Sequence, residues 1–220
     1  MTTSAAQRLN MVESQVRPSD VTDRRILRAL GVVERERFVP EEMAAIAYSD
    51  QAVPLQSKSG AGSRQLMQPR TFAKLIQLAS IEPTDTVLVI GAGRGYSAAI
   101  VSQLAASVDA HEVDPELASA AKERLAGKPA ITVSTGALTT GPEGEKVYDV
   151  IVVEGSLFAP PQMLLSRLKP GGRLVAILLS GGLGRATLWS KTDQATAVSQ
   201  SFEANAGTLP GFERRPEFVF

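Results

Sequence analysis

The amino-acid sequence predicts an α/β fold built on a mostly parallel sheet, and three observations carry that prediction. Short apolar runs recur with helical segments between them, the rhythm of βα units in a parallel sheet. The first of these runs, Val87 to Ile90, opens into the glycine cluster Gly91-Ala92-Gly93-Arg94-Gly95 and then into small helix formers. An acid, Glu112, ends the next run, roughly 20 residues beyond the first glycine.

The elements follow in order. Before Val87 the chain reads as a polar, helical lead-in that covers the sheet rather than extends it. Thr22 or Asp23 caps a helix carrying Ile26, Leu27 and Leu30, and Pro40 starts another through Met43 and Ile46. Pro69 opens a stronger helix with Phe72, Leu75, Ile76 and Ala79 on one face. Strand Val87 to Ile90, a helix to Leu104, strand Val108 to Glu112, a helix over Pro115 to Leu125, strand Ile131 to Ser134 and strand Asp149 to Val153 then alternate. A helix from Pro161 to Leu168 is stopped by Lys169-Pro170-Gly171-Gly172, which releases a strand from Arg173 to Leu179. Thr187 to Phe202 suits two antiparallel strands, and Glu217 to Phe220 a terminal one. The segment Gln56 to Arg64 reads as a substrate-covering loop or a connector. No repeat or low-complexity linker interrupts the chain, so 1–220 reads as one domain, with 1–80 as lead-in and substrate-side cap and 81–220 as the cofactor-binding sheet.

Composition narrows the function classes. At 220 residues the chain can bury a large core without staples. Its 23 Lys+Arg balance 23 Asp+Glu, so no field of one sign points to nucleic acid or an anionic membrane. With no cysteine and a single histidine, His111, neither a disulfide framework nor a metal site is expected. The N-terminus lacks an apolar signal core and the longest aliphatic run, Leu174 to Leu179, is too short for a membrane span. The expected location is the cytoplasm, and the expected partners are small molecules or ordinary proteins.

The glycine cluster reads as a nucleotide-cofactor cradle. Glycines permit a tight turn and close backbone approach, the following helix N-terminus supplies unpaired N–H groups, and Glu112 can accept from ribose hydroxyls. In the dinucleotide fingerprint the third glycine would fall where Tyr96 stands, which disfavours a nicotinamide oxidoreductase. The observed spacing, Gly91, Gly93, Gly95, is similar to motif I of S-adenosylmethionine-dependent methyltransferases. A glycine-rich βα turn without a ligand remains the alternative.

More of the chain carries a closer likeness. Met11-Val-Glu-Ser-Gln-Val-Arg17, Val21-Thr-Asp23, Glu36-Arg-Phe-Val-Pro-Glu41, Ala47-Tyr-Ser-Asp50, Gln68-Pro69, Val87 to Ala99 and Leu168 to Leu174 together resemble the protein-L-isoaspartate O-methyltransferases, which repair isomerised aspartyl residues. The resemblance implies the S-adenosylmethionine-dependent methyltransferase fold: a seven-stranded, mostly parallel sheet with helices on both faces and an antiparallel last strand. It implies S-adenosylmethionine as cofactor, held at Gly91, Ala92, Gly93, Gly95, Glu112, Val113, Gly136, Ala137 and Glu154, and a protein or peptide substrate carrying isoaspartate. It leaves the oligomeric state open.

Site positions depart from the family where scaffold positions match. The family's Thr-Ile-Ser-Gln-Pro corresponds to Gln65-Leu-Met-Gln-Pro69, so Met67 replaces a serine near the transferred methyl. Val89 replaces an acid, and Ala137 replaces the aspartate that meets the adenine amino group. Glu154-Gly155-Ser156 stands where the family has Thr-Ala-Ala. An ionised acceptor carboxylate needs no general base, so the missing function is that of a positioner. Ser63, Arg64 and Gln68 are the candidates, Arg64 as a bidentate carboxylate clamp. Reduced activity is therefore expected. A non-catalytic cofactor- or protein-binding relative and a methyltransferase for another acceptor stay open as alternatives. His111, Tyr96, Trp189 and Phe202 are read as packing, His111 with a surface position as the other option.

Overall fold

The N-terminal third builds a cap before it builds the main sheet. In the computed structural model, which describes residues 3–57 and 64–214, α1 (Ser4–Met11) is capped by the Thr3 hydroxyl and runs on into a π turn over Val12–Val16. Helix α2 (Arg24–Val32) starts at Asp23, whose carboxylate accepts from the Arg25 N–H, and buries Ile26, Leu27, Ala29 and Leu30. The segment after Pro40 forms a 3-10 helix, Glu41–Ile46, rather than an α-helix. Its Met43 N–H bonds the Pro40 carbonyl three residues back, the tighter spacing that short helices adopt. Strands β1 (Val53–Leu55) and β2 (Arg64–Leu66) pair antiparallel as a separate two-stranded ladder, an element with no counterpart in the sequence reading. Helix α3 (Pro69–Leu78) follows, with Pro69 in its first turn.

The main sheet then forms from β3 (Thr86–Ile90), β4 (Ser107–Glu112), β5 (Ile131–Thr135), β6 (Tyr148–Leu157), β7 (Leu168–Ser180), β8 (Leu183–Lys191) and β9 (Thr196–Glu203). Its order is β5-β4-β3-β6-β7-β8-β9. Strands β3 to β7 are parallel, while β8 pairs antiparallel with β7 and β9 with β8. Glu217 to Phe220 lie outside the described residues, as does Ser63. Helices α4 (Tyr96–Val101), α5 (Pro115–Arg124) and α6 (Gln162–Ser166) make the crossovers. The predicted helix to Leu104 is shorter, and Lys169 to Gly172 is taken into β7 as an irregularity between the Tyr148–Leu168 and Val150–Arg173 pairs.

Period-2 alternation sorts β3 between two cores. Val87 and Val89 face one containing α2, α3, α4 and the N-terminal cap, while Leu88 and Ile90 face another containing Leu157, Leu164 and Trp189. The chain leaves β3 toward β4 and β5, then returns to its other side as β6. That reversal opens the crevice where open α/β sheets bind ligands, at the carboxyl ends of β3 and β6.

Candidate functional site

The turn after β3 is a cage of donated N–H groups around one carboxylate. Gly91 and Ala92 donate their N–H groups to the His111 carbonyl at 2.9 and 3.1 Å, clamping the turn onto the end of β4. Gly91 and Gly93 have φ of +78° and +55°, a region that favours glycine. Gly93 turns its N–H onto Glu112 Oε2 at 2.6 Å. Glu112 is wholly buried, and its Oε1 also accepts from the Val113 and Asp114 N–H groups at 2.9 and 3.2 Å. Asp114 then caps α5 by accepting from Glu116 and Leu117.

Arg64 completes the cage. Its Nε donates to Glu112 Oε1 at 3.1 Å, and its Nη2 donates to Glu112 Oε2 at 3.0 Å and to the Gly91 carbonyl at 2.7 Å. The two side chains are 2% and 0% exposed. The bidentate geometry expected of Arg64 is present, but the carboxylate it holds belongs to Glu112 instead of a substrate.

Gly95 and Gly136 make room for neighbouring side chains. A Cβ on Gly95 would lie 2.8 Å from Leu125 on the α5 side, and one on Gly136 would lie 3.2 Å from the His111 ring. His111 is buried, not at the surface. Its Nε2 faces the Ala137 carbonyl at 3.2 Å and must therefore carry the proton, leaving Nδ1 to accept from the Ser134 hydroxyl at 2.8 Å. Burial lowers its pKa, which keeps the ring neutral at pH 7. Tyr96 and Trp189 are packing residues, both 1% exposed. Tyr96 meets Phe38 edge-on at 5.7 Å.

The β6 side of the crevice is different. Glu154 is 3% exposed, and burial pushes its carboxyl up to about 7 against the pull of the Arg64 and Arg35 charges. Arg35, absent from the sequence candidates, is fully buried. It lies 4.9 Å from the Tyr96 ring centre and donates to the Ala47 and Met67 carbonyls at 2.7 and 2.6 Å. Among the described residues, Glu154 Oε2, Ser97 Oγ, Tyr96 Oη and Arg35 Nη1 are buried without a hydrogen-bond partner. Met67 is buried and offers no proton. Gln68 accepts from Thr71 at 3.2 Å and lines a cleft of about 410 Å³ with Arg70, Thr71, Lys74, Phe202 and Asn205.

Adenosyl recognition requires a cradle, an acid and space. The cradle and the acid fit, but side chains take the space. The cavity bounded by Arg64, Met67, Glu154, Gly155 and Gly207 measures about 10 Å³, against roughly 300–1,000 Å³ for ordinary ligand sites. Leu55 lies 2.6 Å from where a Cβ on Gly93 would be, and Leu209 lies 3.1 Å from one on Gly91 and 2.5 Å from one on Gly155. The sequence carried no signal for Leu55 or Leu209, since an apolar residue in a loop or hairpin does not announce what it covers.

A family model described as Protein-L-isoaspartate(D-aspartate) O-methyltransferase matches residues 6–205. The protein-L-isoaspartate O-methyltransferase of Protochlamydia amoebophila is 44% identical over 167 residues, 75% of this chain and 77% of the relative. That of Methanoculleus marisnigri is 39% identical over 172 residues, 77% and 76% of the two chains. Two solved structures share the fold. One is a protein-L-isoaspartate O-methyltransferase, with TM-score 0.79 and 23% identity over 93% of this chain and 66% of that one. The other is a putative protein-L-isoaspartate O-methyltransferase from Plasmodium falciparum in complex with S-adenosyl-L-homocysteine, with TM-score 0.76 and 16% identity over 92% and 97%.

Proposed function

The chain belongs to the protein-L-isoaspartate O-methyltransferase family, S-adenosylmethionine-dependent methyltransferases, and on that premise we propose that it methylates the carboxylate of an isoaspartyl residue in a protein or peptide, more slowly than ordinary family members. The observation that carries the reading is the buried Glu112 at the end of β4, facing the Gly93 N–H across a turn of positive-φ glycines. When bound, S-adenosylmethionine supplies an electrophilic methyl group on a sulfonium. Gly91, Ala92 and Gly93 bring backbone close to the nucleoside, with Gly95 shaping the same turn, and Glu112 accepts from its ribose. Val113, Gly136 and Ala137 flank the adenine. Glu154 faces the methionyl ammonium, a cation that offsets the burial of its charge. Gln68 orients the acceptor carboxylate, which is ionised at neutral pH and needs no base. Residues 1–80 form the substrate-side cap of a single domain, and the cytoplasm is the expected location.

Reduced turnover follows from Met67 and Ala137, which remove a hydroxyl donor and a carboxylate acceptor. One observation favours a second reading, an acceptor other than a carboxylate: when ionised, Glu154 would repel a carboxylate brought beside it. A methyl-transfer assay on an isoaspartyl peptide and its aspartyl twin separates these readings. Slow turnover restricted to the isoaspartyl peptide is expected. Binding of S-adenosylhomocysteine without turnover on either peptide would sink the repair reading and leave another acceptor or a non-catalytic relative.

A further inference from the structure

We infer that Arg64 is a built-in competitor for the cofactor's ribose, so that an adenosyl ligand binds by replacing the Arg64–Glu112 ion pair and shifting the β1–β2 ladder that carries it. The inference rests on the proposed reading of the cradle as an adenosyl site.

Acceptor capacity is the first argument. Glu112 receives five N–H donors, three on Oε1 and two on Oε2, whereas a carboxylate offers about four lone-pair directions. No capacity remains for two ribose hydroxyls. Backbone supplies three of the donors and cannot leave without unfolding the turn, so the two from Arg64 are the ones a ligand can replace. Their pattern suits the exchange. Nε and Nη2 present two coplanar donors, one to each carboxylate oxygen, as the two hydroxyls of a vicinal diol would.

Space is the second argument. Arg64 Nη2 lies 2.8 Å from where a Cβ on Gly91 would be, against the glycine that the cradle leaves bare. Leu55 covers Gly93 in the same way, and Leu55 and Arg64 are cross-strand partners of the β1–β2 ladder. One short ladder therefore closes the sugar end of the crevice with two neighbouring side chains. Each of its strands has only three residues, and it shares no ladder with the main sheet. Displacing it uncovers the core residues Val53, Leu55 and Leu66 but leaves the seven strands intact. The ion pair is buried on both sides, so salt screens it far less than a surface pair.

The test is calorimetric titration of S-adenosylhomocysteine into the full wild-type chain, Arg64→Ala and Arg64→Lys. Arg64→Ala is expected to bind at least tenfold more tightly than wild type, with Arg64→Lys in between because an ammonium cannot hold both carboxylate oxygens in one plane. Equal or weaker binding by Arg64→Ala overturns the inference while leaving the cradle reading in place. No binding to any of the three overturns both. Should Arg64→Ala fail to fold, the wild-type protein decides alone through the nitrogen-15 NMR signal of the Arg64 Nε–H, assigned by its absence in Arg64→Lys. That signal should be protected in the free protein and lose its protection at saturating ligand. If protection persists with ligand bound, Arg64 has not moved and the inference fails.

Discussion

The two walls of the crevice differ in how their buried polar groups are served. On the β3–β4 wall the Glu112 carboxylate is met by backbone N–H groups and Arg64, with both side chains out of water. On the other wall Glu154 of β6, Ser97 and Tyr96 of α4 and Arg35 of the cap each keep a buried polar atom without a partner among the described residues. A satisfied buried network rigidifies, whereas unsatisfied groups carry a desolvation penalty that a ligand can relieve. The first wall is preorganised and self-occupied. The second is held at a cost that binding would repay.

The largest expected effect on ligand binding is that of Gly93→Val, which attacks the satisfied wall. A branched Cβ would meet Leu55 at 2.6 Å and force a β-branched residue to φ +55°. Titration with S-adenosylhomocysteine should show no measurable binding, and urea unfolding should show a loss of roughly 1–3 kcal/mol from backbone strain alone. Wild-type affinity in this variant would exclude the turn as the ligand site.

Next comes Glu112→Ala. Removing one member of a buried ion pair leaves the other charge uncompensated, a loss of about 3–5 kcal/mol, and here it also strips three backbone N–H groups of their acceptor. Urea denaturation measures it directly. A loss below 1 kcal/mol would mean that the wall does not depend on this carboxylate, and the contrast between the two walls would collapse.

Glu154→Gln probes the other wall and should act with the opposite sign. The native Glu154 carboxyl titrates near 7 rather than at its ordinary value of 4.5, so the folded state holds a proton that the unfolded chain releases. Its contribution is therefore free of penalty below pH 4.5, and stability is lost as pH rises through 7, by roughly 3 kcal/mol at full ionisation. Glu154→Gln should flatten that slope and be more stable than wild type at pH 8. With cofactor bound, ionisation of Glu154 beside the methionyl ammonium should release a fraction of a proton near pH 7. Calorimetry in buffers of different ionisation enthalpy detects this, and a pH-independent wild type would remove the penalty assigned to this wall.

The smallest effect is restoration at the rim. Ala137→Asp puts a carboxylate on an exposed turn whose carbonyl already faces His111. It should tighten adenosyl binding by about 1–2 kcal/mol through one charge-assisted hydrogen bond. Adding Met67→Ser should raise turnover more than affinity, because a hydroxyl there orients the acceptor. If neither change moves either quantity, Gln68 already supplies what those positions lack.

Regular periodicity made the sheet legible from sequence alone. Five parallel strands, the crossover helices, the antiparallel close and the glycine turn with its acid all follow from local rules: apolar runs of strand length, caps, and glycines where backbone must turn. Family likeness sharpened this to a seven-stranded methyltransferase fold and its cofactor. The ladder over the cradle was not legible, because three-residue strands are too short to show a period. The meeting of Arg64 with Glu112 across 48 positions was hidden for a different reason. A charge in sequence reads as solvated until the fold removes the water around it, and only tertiary structure decides which buried charge finds a partner, as Arg64 does, and which remains underserved, as Glu154 does.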